Sequence, residues 1–105
     1  MFSYIASPVI EAISPVNNKT VNESDSIIFY CNASGFPPPR IEWSKLEDET
    51  AVFPAGKELN ITRVNRTDSG TYVCTAKNGV YPNATASTVL NVQCKFILYS
   101  KINKG

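Results

Sequence analysis

At 105 residues the chain has the length of one ordinary domain, enough to bury roughly two-thirds of its extended surface around a single core. A net charge of +1 with scattered lysines and arginines gives no basic stripe for phosphates, which excludes nucleic acid as a partner, and no field to steer an acidic substrate. The lack of any histidine removes the commonest general base, zinc ligand and nucleophile partner, so no catalytic, cofactor-binding or metal-binding residues are expected.

Pro8 to Ile13 reads as a first edge strand, opened by a proline that an edge tolerates. Ser14-Pro15 breaks it before a short second segment near Lys19 to Val21. Ser26 to Asn32 alternates with Ile27, Phe29 and Cys31 on one face and Ile28, Tyr30 and Asn32 on the other, which predicts a half-buried strand. Gly35-Phe36-Pro37-Pro38-Pro39 reads as a loop, because its prolines cannot donate to a ladder. Arg40 to Lys45 resumes the alternation with Ile41 and Trp43 inward. From Leu46 to Gly56 the pattern dissolves, leaving room for one or two short strands without clear limits. The adjacent carboxylates of Glu47, Asp48 and Glu49 lack the spaced Asp/Asn/Gly pattern of a calcium loop, so they read as solvated. Leu59 and Ile61 alternate with Asn60, and Val64 leads into a turn from Asn65 to Gly70. Tyr72, Cys74 and Ala76 then point inward on the next strand. Asn78-Gly79 and Tyr81-Pro82 are turn dipeptides, and Ala84 to Val92 closes the set with Leu90 and Val92 inward.

Cys31 and Cys74, with Trp43 twelve residues after the first and Asp68-x-Gly70-x-Tyr72 leading into the second, resemble the signature of the immunoglobulin superfamily. The Gly-Phe-Pro-Pro-Pro run ahead of Ile41-x-Trp43 is similar to its intermediate, or I-set, branch. The resemblance implies an all-β fold, a two-sheet antiparallel β-sandwich with one inter-sheet disulfide between Cys31 and Cys74. It gives Trp43, Tyr72, Asp68 and Gly70 structural duties: Trp43 on the disulfide, the Tyr72 hydroxyl tied to upstream backbone, and Asp68 accepting local hydrogen bonds in the same turn. The organisation expected is a linker at 1–7, the domain at 8–93 and a tail of unknown role at 94–105, poorly ordered. In that tail Cys94 is left over as an unpaired thiol: it bridges to another chain, pairs outside this segment or stays free.

Asn-x-Ser/Thr sequons occur at Asn18, Asn22, Asn32, Asn60, Asn65 and Asn83, six of ten asparagines, where chance gives roughly two. That excess and the paired cysteines indicate an oxidising, extracellular or cell-surface setting with N-linked glycans. Met1 to Ser7 has no basic lead for a signal peptide, and no stretch approaches the ~20 apolar residues of a membrane span, so a piece of a longer ectodomain is expected. In the family's topology Asn32 and Asn60 fall on the outer face of one sheet. The partner surface is therefore expected on the other, among Glu42, Ser44, Thr71, Val73, Thr75, Lys77, Ser87 and Val89, bordered by Asn83 at a loop end and Asn18 near an edge. The function implied by the resemblance is non-enzymatic recognition of a protein partner, homophilic or heterophilic, in a cell-adhesion molecule or receptor. Its rivals are a structural spacer in an extracellular array and an accessory ectodomain module of a receptor kinase or other multidomain enzyme.

Overall fold

The computed structural model describes residues 4–94. Seven strands pack as two sheets: β1 (Ala6–Ser14), β2 (Asn18–Asn22), β3 (Ile27–Phe36), β4 (Arg40–Lys45), β5 (Glu58–Ile61), β6 (Gly70–Lys77) and β7 (Ala84–Gln93), with one 3-10 turn at Arg66–Asp68. One sheet has the order β1-β3-β5 and the other β2-β7-β6-β4. This is an immunoglobulin-like sandwich.

The core follows from strand parity. Ile27, Phe29 and Cys31 of β3, Ile41 and Trp43 of β4, and Tyr72, Cys74 and Ala76 of β6 are all buried. Phe29 stacks on Tyr72 with ring centroids 4.7 Å apart and meets Trp43 at 5.7 Å. Burying each such ring stabilises by about 1.5–3 kcal/mol. The Cys31–Cys74 disulfide joins the sheets, and Trp43 lies directly across from Cys74 in the β4–β6 ladder. The Trp43 indole N–H donates to the Lys57 carbonyl at 3.3 Å, so its polar edge is satisfied. β7 adds Leu90, and on the same parity Thr88, whose hydroxyl faces the Asn17 carbonyl at 3.4 Å.

Several elements differ from the sequence expectation. β1 starts at Ala6, inside the expected linker, because Ala6 pairs with Phe36 and the ladder absorbs Ser7-Pro8 in a register shift. β3 runs on through Gly35 to Phe36, and only the prolines leave the ladder. A side chain at Gly35 would stand 3.1 Å from the Ala6 carbonyl, so this glycine serves close strand approach. No strand forms in 46–57; its one isolated β-bridge joins Lys45 and Asp48, beside single main-chain bonds from the Leu46 N–H to the Thr71 carbonyl at 2.8 Å and from the Gly56 N–H to the Ile41 carbonyl at 3.0 Å. The local chemistry explains it, since Asp48 turns the chain by accepting from the Thr50 N–H at 3.0 Å and hydroxyl at 2.5 Å. One pairing is parallel: β2 leaves the β1 sheet after Ser14-Pro15 and lies alongside β7. The expected tail lies outside the described residues from 95 onward; Cys94 just after β7 is half-buried, with no disulfide partner among the described residues.

Candidate recognition face

The outer face of the four-stranded sheet is built in rows across β4, β6 and β7. Ser44, Val73 and Ser87 form one row, and Glu42, Thr75 and Thr85 the next. Arg40 pairs with Lys77 toward one end, and Thr71 with Val89 toward the other. All eight residues expected from the sequence therefore share this face. Arg40 and Thr85 belong with them, and the same two-residue period that selected Glu42 and Ser87 would have found both.

Glu42 organises the charge. Its carboxylate accepts from Lys77 Nζ at 3.1 Å and from an Arg40 guanidinium nitrogen at 3.2 Å. The bond to Lys77, opposed by some desolvation and helped by Arg40, holds the Glu42 carboxyl below the usual glutamate range. These groups are largely solvated, so the pairs contribute little stability and fix side-chain geometry instead. Around them the face is formed of small or β-branched side chains, the valines and threonines stiff at χ1.

The sequons divide unevenly. Asn32 and Asn60 sit on the outer face of the three-stranded sheet, Asn32 across from Ala12 and exposed Asn60 across from Ile28. Asn65 and Asn83 are exposed in loops. The parallel β2–β7 pairing sets Asn18 beside Val89 and Asn22 beside Gln93, on the outer face of this same sheet. A glycan on Asn18 would overhang Val89 and Thr71, the row that Asn18 extends. The sequence places Asn18 near this edge, but the short β2 segment gives no local signal that Asn22 joins it.

The corner between β5 and β6 explains Asp68, Gly70 and Tyr72. Asn65 caps the 3-10 turn: its side-chain oxygen accepts from the Thr67 N–H at 2.9 Å and from the Thr67 hydroxyl, while Asp68 accepts from the Asn65 N–H at 2.9 Å. The Tyr72 hydroxyl donates to the Asp68 carbonyl at 2.7 Å. Burial, then the nearby carboxylates of Asp68 and Glu47, push the Tyr72 phenol up to about 12. Gly70 has φ +148°, and its missing side chain leaves room for Glu47, which accepts from the Thr71 N–H at 2.9 Å and 3.2 Å through its two oxygens. That bond, with Lys45 nearby, holds the Glu47 carboxyl below the usual range. Glu47 and Asp48 thus hold main-chain groups of their own fold, and no cluster that could bind a metal ion exists among the described residues.

Comparison with known proteins fits this geometry. Residues 7–78 match the family model described as immunoglobulin domain. The chain belongs to the immunoglobulin domain family. It is 37% identical over 79 residues to neural cell adhesion molecule 1 of Bos taurus, an alignment covering 68% of this chain and 9% of that protein. It is 28% identical over 95 residues to lachesin of Schistocerca americana, covering 85% and 27% respectively. The chain thus spans well under two-thirds of these relatives. Among solved structures, the complex titled Dpr11 IG1 bound to DIP-gamma IG+IG2 superposes with a TM-score of 0.77 at 27% identity, covering 85% of this chain and 49% of that one. Titin domain M7 superposes with a TM-score of 0.73 at 25% identity, covering 88% and 99%.

Proposed function

We infer that the domain is a non-enzymatic recognition module of a glycosylated extracellular or cell-surface protein, and that it binds a protein partner through the outer face of its four-stranded sheet. The observation that carries this reading is the pair of rows Ser44-Val73-Ser87 and Glu42-Thr75-Thr85: none of these six positions is a sequon asparagine, and Asn18, Asn22 and Asn83 lie at the borders of the face. Short side chains already ordered by a sheet lose little entropy on docking. The Arg40–Glu42–Lys77 set supplies an electrostatic register that rejects mismatched partners. Relatives named as adhesion molecules and a likeness to an immunoglobulin domain crystallised in a protein complex support recognition as the task. The sequon excess and the disulfide support the extracellular setting. Replacing Ser44 and Thr75 by arginine should weaken binding to the native partner, measured by surface plasmon resonance, by tenfold or more, about 1.4 kcal/mol; undiminished affinity removes this face.

A second reading, a spacer in an extracellular tandem array, draws on the likeness to titin domain M7. It differs in predicting that no substitution on either sheet face alters any binding.

A further inference from the structure

The three-stranded sheet ends on β5, and no strand of 46–57 covers it. The Cys31 N–H donates to the Lys57 carbonyl at 2.9 Å, which sets the phase of the β3–β5 ladder: Lys57, Leu59 and Ile61 direct their main-chain groups at β3. The N–H and C=O groups of Glu58 and Asn60 then face outward along an open edge, with no main-chain partner among the described residues. Such an edge is a template for another extended strand. Beside it runs an open groove of about 490 Å³ with apolar walls from Phe53, Pro54, Ile61 and Tyr72, a place for the side chains of an added strand.

The edge is complementary to itself. An antiparallel β5 from a second copy, related by a two-fold axis at Asn60, sets Leu59 against Ile61 on the core side and Glu58 against Thr62 on the outer side. The two Asn60 residues then exchange both of their free main-chain bonds. Lys57 and Arg63 would meet as like charges just beyond the strand, so the pairing is weak. Asn60 is also an exposed sequon, and it stands at that axis, where two glycans would occupy one space.

We propose that the glycan on Asn60 is an edge guard, preventing β5 from pairing with β5 of a second copy; this rests on the reading above that the protein is glycosylated. The test uses the full chain with Cys94→Ser, so that no intermolecular disulfide contributes, made with glycosylation intact, as Asn60→Gln and as Asn60→Pro. Peptide mass measurement reports whether Asn60 carries sugar, separately from association measured by sedimentation. The glycosylated chain should remain monomeric, while Asn60→Gln dimerises at least about tenfold more tightly, the worth of one or two net main-chain hydrogen bonds. Asn60→Pro, which lacks both the sugar and the edge N–H, should return to monomer. Should the proline variant not fold, hydrogen exchange decides: the amide at position 60 in Asn60→Gln must slow as concentration rises. Equal association with and without the sugar, or an unprotected amide in the dimer, overturns the guard. An unoccupied Asn60 overturns it too, and that result is visible in the mass alone, whatever the other sequons carry.

Discussion

Replacing Gly70 by alanine should destabilise the domain more than its surface position suggests. The residue has φ +148°, a region that side chains disfavour, and an added Cβ would meet Glu47 Oε1 at 2.6 Å and Lys45 Cε at 2.8 Å. Backbone strain of this kind costs about 1–3 kcal/mol. The contacts are with ends of flexible side chains, so Glu47 can swing away, but it then abandons the Thr71 N–H. Taking about 2 kcal/mol as the central value, the melting temperature should fall by roughly 10 °C, since 1 kcal/mol shifts a domain of this size by about 4–8 °C. Thermal unfolding followed by circular dichroism on four proteins separates the causes: the parent, Gly70→Ala, Glu47→Ala and the double variant. The two substitutions should be less than additive, because truncating Glu47 removes the closer of the two clashes, while most of the alanine cost persists. A Gly70→Ala variant as stable as the parent would refute the backbone argument, and full recovery in the double variant would show that crowding alone was at work.

Further outcomes follow from the core and the corner. Replacing Cys31 and Cys74 together by alanine opens a link spanning 43 residues and should cost about 4 kcal/mol in denaturant unfolding, a large share of the whole stability. Because the Tyr72 phenol is raised to about 12 in the folded state, its contribution is complete below the ordinary value near 10 and is lost as pH climbs through 12. Stability should thus fall by roughly 2–3 kcal/mol across that window, and Tyr72→Phe, although less stable at neutral pH, should show a flatter alkaline decline. Glu42→Ala should leave the melting temperature nearly unchanged, since its ion pairs are exposed, while altering the salt dependence of partner association.

The central features were legible because they depend on parity and local chemistry. Alternation alone puts Phe29, Cys31, Trp43, Tyr72 and Cys74 on inward faces, and the Asp68-x-Gly70-x-Tyr72 spacing specifies a corner whose Tyr72–Asp68 and Asn65–Asp68 bonds are local, although the Glu47 bond to Thr71 comes from a distant loop. What escaped depends on distant partners. Gly35 and Phe36 read as loop beside three prolines, yet the main chain of Ala6 holds them in the ladder. The sheet joined by β2 is decided by its parallel register with β7, about seventy residues away; the sequence places Asn18 near the edge of the four-stranded sheet, and the register adds Asn22 beside Gln93. The bare edge of β5 has the same origin, since only the failure of 46–57 to pair exposes it.

The sheet-face assignment is tested most directly by a sugar placed in its centre. Val73→Asn completes a sequon with the native Thr75, in the row between Ser44 and Ser87. With occupancy verified by mass, the glycosylated variant should fold with its disulfide intact and lose measurable binding to the native partner, whereas enzymatic removal of the sugar should restore most of it. Binding of the sugar-bearing variant at the parent's affinity would contradict the assignment of recognition to this face.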